Sequence, residues 1–289
     1  MASAMSITIR GKDPVLDFAA QELRRYLGKI LPSDISCSFE LGVCSEFPQL
    51  KSPSVPDPTF DDAIVLQCDE SGGIVSGNNP RSVLLAVYRY LSVQGCRWVR
   101  PGVSGEFLPT RSRLDSVATT EVASYRHRAV CIEGAVALEH VCDMVDWLPK
   151  LGFNGYFIQF REAHTFFNRW YAHEGNPLVS SHRLSPMLAA ELTSYVEAEI
   201  ARRGLLYHKV GHGWTCEPFG IRGLGWERET EPIPETVTPY LAEVNGKRQL
   251  WEGIALNTNL CYSNPEVRRI MSTAIAEYAQ QHPNIHYLH

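Results

Sequence analysis

The stretch GGIVSGNNPRSVLLAVYRYLSVQGCRWVRPGVSGEFLP, Gly72 to Pro109, decides the reading of the first half of the chain. Ile74 and Val75 lead into Gly77-Asn78, a pair that tolerates left-handed backbone and marks a turn. Asn79 is placed to cap a helix whose first residue is Pro80, because the N–H that proline lacks would be unpaired there anyway. Val83, Leu84, Val87, Tyr88 and Leu91 recur at helical spacing and form one apolar face. Gly95 stops the helix, and Cys96-Arg97-Trp98-Val99 reads as a short strand before the Pro101-Gly102 turn. Spacing alone establishes an α/β unit.

Upstream, Ile7 and Ile9 alternate in a strand, and Asp13-Pro14 opens a helix with Val15, Phe18, Ala19, Leu23, Tyr26 and Leu27 on one face. Phe39–Val43 is a second strand. The segment 48–58 holds four prolines and reads as a loop. Ala63–Cys68 and Gly73–Ser76 read as a hairpin around Asp69–Gly72. Together these predict an α+β sandwich over 1–110, with helices on one sheet face. Residues 111–124 are polar without an apolar period and read as a linker.

From Tyr125 the pattern changes to strand-helix alternation. Strands are predicted at Ala129–Ile132, Gly155–Phe160, Leu205–Val210 and Ile285–Leu288, with helices around Leu138–Leu148, after Ser185-Pro186 and after Asn264-Pro265. Such alternation predicts a parallel sheet, here the first half of a (β/α)8 TIM-type barrel over 125–289. A full barrel typically takes about 250 residues, whereas 165 remain from Tyr125. The expectation is therefore a partial barrel, the N-terminal portion of a longer enzyme.

Composition excludes several classes. The chain has 289 residues, a formal net charge of −5 and no basic run, so nothing suggests a nucleic-acid partner. No apolar run approaches the roughly 18–20 residues of a membrane span, and the N-terminus lacks an apolar signal core. The eight cysteines are scattered without a C-x-x-C pair and read as reduced thiols, which makes the cytoplasm the expected location. His208 and His212 lie on one predicted strand rather than a helix face, Gly72, Gly73 and Gly77 lead to no Gly-Lys-Ser/Thr, and no G-x-S-x-G occurs. Neither a metal nor a cofactor is predicted.

The wording SGNNPRS, LLAVYRYL, GCRWVRPG and GEFLP resembles the N-terminal domain that precedes the barrel in family 67 α-glucuronidases and family 20 hexosaminidases. It is most similar to the domain-of-unknown-function 4838 group, which includes family 163 endo-β-N-acetylglucosaminidases. The resemblance covers about residues 1–110. It implies a glycoside hydrolase-like protein acting on a complex carbohydrate that contains N-acetylhexosamine or uronic acid. Arg128, in RHRAV, resembles the strand-one arginine that holds the sugar in family 20 barrels. His212, in KVGHGW, resembles their strand-three histidine. The paired Asp-Glu of that family is missing, and its acid position after strand four would fall beyond His289.

Barrel chemistry sits where strands end and loops begin, at the C-terminal face. That rule selects Glu133 after strand one, Gln159, Arg161, Glu162 and His164 around the end of strand two, and His212, Trp214 and Glu217 after strand three. Glu133, Glu162 and Glu217 are the candidate catalytic acids, each with a solvated loop charge as the plain alternative. Arg128, Gln159, Arg161, His164, His212, Trp214 and Trp226 are the candidate substrate-binding residues. The two long loops are rich in aromatic residues (Phe166, Phe167, Trp170 and Tyr171, then Trp214, Phe219, Trp226 and Trp251), which suit the CH-rich faces of sugars or else pack the loops. The alternative function is a non-catalytic carbohydrate-binding protein that uses the same rings.

Overall fold

The computed structural model describes residues 5–131, 134–230 and 232–289. The chain forms two compact units, one of Met1–Val130, Glu139–Tyr156 and Glu197–Leu206, the other of Cys131–Leu138, Phe157–Val196 and Tyr207–His289. The architecture is mixed α/β.

The first unit begins with β1 (Met5–Ile9), α1 (Pro14–Ile30) and β2 (Cys37–Val43), followed by β3 (Ala63–Asp69), β4 (Gly72–Gly77) and α2 (Pro80–Val93). The short pair β5 (Arg97–Trp98) and β6 (Glu106–Phe107) and the strand β7 (Val117–Val122) complete this part. The sheet order is β1-β2-β4-β3-β7. β1, β2 and β4 run parallel, while β3 is antiparallel to both of its neighbours. The β3–β4 turn needs glycine: Gly72 and Gly73 have positive φ, and a Cβ on Gly72 would lie 2.0 Å from the Ser38 carbonyl oxygen.

Both helices start as their sequences dictate. Asp13 accepts from the Val15 N–H at 2.8 Å and Asn79 from the Ser82 N–H at 2.9 Å, each just before a proline. α1 and α2 share a core with one face of the sheet, through Leu23, Leu27, Phe39, Leu66, Val75, Leu84 and Leu91. Alternation sends Val65 and Ile74 to the other face, where they pack on Cys44, Phe47 and Leu50. The GCRWVRPG wording is core chemistry. Trp98 lies edge-to-face with Tyr26 at 5.3 Å and Tyr88 at 5.5 Å, and its indole N–H donates to the Tyr26 hydroxyl at 3.1 Å.

Val117–Val122 corrects the reading of 111–124 as a linker throughout. Its Val and Thr residues alternate half-buried and exposed along the edge of β3, so one thin apolar row suffices there and leaves no strong period.

The remaining elements are β8 (Ala129–Cys131), α3 (Leu138–Lys150), β9 (Gly155–Phe160), α4 (His164–Tyr171), α5 (Pro186–Arg202) and β10 (Leu206–His212). A small hairpin of β11 (Glu243–Val244) and β12 (Lys247–Arg248) precedes α6 (Pro265–Gln281) and β13 (Tyr287–Leu288). The second sheet has the order β13-β10-β9-β8. β10 and β13 pair in parallel. β9 and β10 also run the same way, since Leu206 N–H donates to Asn154 C=O at their starts and Arg161 N–H to His212 C=O at their ends. The four predicted strands are thus all in one sheet, as an open four-stranded array among the described residues.

Candidate functional site

Asp62 is the electrostatic centre of the first unit. Its carboxylate accepts from Arg81 Nε at 2.8 Å, Ser82 Oγ at 2.8 Å, Arg128 Nη2 at 2.7 Å and Asn154 Nδ2 at 2.8 Å. Burial pushes its pKa up, but Arg81 and Arg128 outweigh that and hold it below the ordinary value. Arg128 also donates from Nε to Gly152 C=O at 2.7 Å. This arginine, expected to hold a sugar, is committed to a structural network beside the N-terminal end of β9. His212 belongs to the second unit.

The C-terminal ends of β9 and β10 carry the richest chemistry, all within the second unit. Arg161 directly follows β9. Its Nε lies 2.7 Å from Glu217 Oε2, and its guanidinium carbon lies 5.0 Å from the Trp214 ring and 5.2 Å from the Tyr278 ring. Trp214 and Tyr278 meet edge-to-face at 5.3 Å, and the Trp214 indole N–H donates to His289 C=O at 3.1 Å. Gly213, at φ +119°, allows this approach: a Cβ there would sit 2.9 Å from Arg161 Cβ.

Burial, opposed by Arg161 and reinforced by the nearby Glu162 carboxyl, raises the Glu217 pKa above the ordinary 4.5. A cavity of about 250 Å³ opens here, lined by Arg161, Glu217, Pro218, Glu277, Tyr278 and Gln281 among others.

A second cluster adjoins the first through the Arg161 N–H to His212 C=O bond of 3.0 Å. Gln159 Nε2 lies 2.9 Å from His212 Nε2, with the Cys131 thiol 3.3 Å from Gln159 Oε1. The His212 ring stacks on Phe160 at 5.4 Å and meets the edge of Trp226 at 5.0 Å. Two residues earlier Val210 is fully buried at φ +65°, rare for a β-branched residue.

Of the predicted residues, Arg161, Glu162, Trp214 and Glu217 form the first cluster, and Gln159, His212 and Trp226 the second. His164 does not join either; its Nε2 is bonded to Leu184 C=O at 2.9 Å. Glu133 lies outside the described residues. Phe166 and Phe167, expected in a loop, lie on α4 and are buried, so they serve packing. Tyr278, on α6, is missed by a rule about strand ends, because nothing local ties a helix residue to a distant arginine. The Cys216 thiol is buried and pushed up to about 11.

No protein-family model and no curated protein matches this sequence, so the resemblance read from Gly72–Pro109 stands without a family match. Distant structural likenesses are found to glycoside hydrolases. One is a GH138 enzyme targeting pectin rhamnogalacturonan II, with a TM-score of 0.44 and 11% identity over 81% of this chain and 35% of that one. Another is CpGH84B, with a TM-score of 0.41 and 14% identity over 71% of this chain and 33% of that one. The chain spans about a third of the length of each.

Proposed function

We propose that this chain is a glycoside hydrolase-like protein, with an α+β accessory domain over 1–110 and the first half of a (β/α)8-type barrel over 125–289, acting on glycosidic bonds of a complex carbohydrate. The observation that carries the reading is Glu217, held by Arg161 against Trp214 and Tyr278 beside a cavity at the C-terminal end of parallel strands. A general acid must keep its proton near neutral pH, and the burial and like charge around Glu217 favour that. Glu217 is then the proton donor to the leaving oxygen, Glu162 a nearby like charge that favours its protonated form, and Arg161 the group that positions Glu217. Trp226 offers a ring to a sugar face, and His212 and Gln159 offer hydroxyl partners.

Glu217 as a single proton donor suits a reaction in which the substrate's own acetamido group, or a carboxylate from elsewhere, completes the chemistry. The 2.7 Å ion pair between Glu217 and Arg161 favours a second reading, a carbohydrate-binding protein without turnover.

Aryl β-N-acetylglucosaminides, β-glucosides and α-glucuronides, assayed beside oligosaccharide binding, separate the two. The expected result is hydrolysis that falls about 10²–10⁴-fold in Glu217→Gln while binding persists. Binding without turnover in the wild type selects the second reading, and a Glu217→Gln variant as active as the wild type removes Glu217 from the chemistry.

A further inference from the structure

The charge balance of the cavity at Arg161 narrows its ligand. We infer that this site takes a neutral or amino sugar and rejects a uronate, an inference that rests on the carbohydrate reading above. Two carboxyl groups, Glu217 and Glu277, line the cavity, and Glu162 is an electrostatic neighbour of Glu217. Arg161 is the cation among its described lining residues, and it is engaged, with Nε on Glu217 at 2.7 Å and its guanidinium over two aromatic rings. The rest of the rim is neutral, with Gln281 as its amide.

A uronate can reach Arg161 only by displacing Glu217, which would leave that half-buried carboxyl beside Glu162 and the new anion. Failing that, it must sit against the carboxylates with no partner. Either course costs affinity through like-charge repulsion in a partly desolvated site. A neutral pyranose meets no such penalty, because Gln281 and Glu277 can exchange hydrogen bonds with its hydroxyls. An ammonium group at one ring carbon gains a partner in Glu277, which is exposed at the rim and lies outside the proposed catalytic set.

The test titrates glucosamine, N-acetylglucosamine and glucuronic acid into the isotope-labelled chain at about neutral pH, following the indole N–H signals of Trp214 and Trp226. Glucuronic acid is expected to bind about tenfold more weakly than the other two, or worse. High salt should narrow the gap. Glu277→Gln, a change at an exposed helix position, should narrow it too. Glucuronic acid binding as tightly as N-acetylglucosamine would overturn the charge inference and leave the carbohydrate reading standing. A gap that Glu277→Gln does not change would overturn the charge explanation. Failure of all three sugars to shift either indole signal would overturn both.

Discussion

Asp62 in the first unit and Glu217 in the second are both carboxyl groups paired with an arginine, and their pKa values move in opposite directions. Asp62 is almost fully buried but meets two arginines, a serine hydroxyl and an asparagine amide, so its charged form wins and its pKa falls. Glu217 meets one arginine and a second carboxyl, so its protonated form gains and its pKa rises. Burial acts the same way on both. The number and sign of the neighbours decide which state survives, and so separate a structural ion pair from a site poised to move a proton.

The largest expected effect is at the structural end. Asp62→Ala removes the carboxylate that pairs with Arg81, which is 6% exposed, and should cost about 3–5 kcal/mol in urea unfolding. Glu217→Gln should change stability by no more than about 1 kcal/mol. If the two losses came out equal, the contrast between the regions would fail. Their pH dependences differ in sign. The depressed Asp62 contributes stability above the ordinary carboxylate pKa, and that contribution is lost as pH falls through its lowered value. The raised Glu217 does the reverse: its contribution is complete below 4.5 and is lost as pH rises through its folded value.

A smaller effect sharpens the site itself. Trp226→Ala removes the ring beside His212 and should weaken sugar binding by about three- to tenfold, the equivalent of ~0.5–1.5 kcal/mol for one aromatic contact. Calorimetry on wild type and variant checks this, and unchanged affinity would take Trp226 out of the site.

Much of this comparison was legible in the residues, and the rest was hidden for physical reasons. Asp13-Pro14, Asn79-Pro80 and Asn264-Pro265 announced their helices because capping is local chemistry. The four strands of the second sheet and the β3–β4 hairpin followed from apolar runs and turn glycines. The site was selected by a rule about strand ends, which brought Arg161, Glu162 and Glu217 forward together. Arg128 came forward through the RHRAV wording rather than that rule, and its pairing with Asp62 bridges 66 positions that no local pattern reveals. Tyr278 and the positive φ at Val210 were invisible for the same reason: each depends on what the fold brings alongside. β7 escaped notice because an edge strand needs little apolar surface.

The proton-holding role of Glu217 is the central claim, and its titration followed by carboxyl carbon chemical shift tests it most directly. The account predicts a midpoint above 4.5 in the wild type that moves down in Glu162→Gln, as the like charge is removed and Arg161 remains. A midpoint at or below 4.5 that ignores the Glu162 substitution would contradict it.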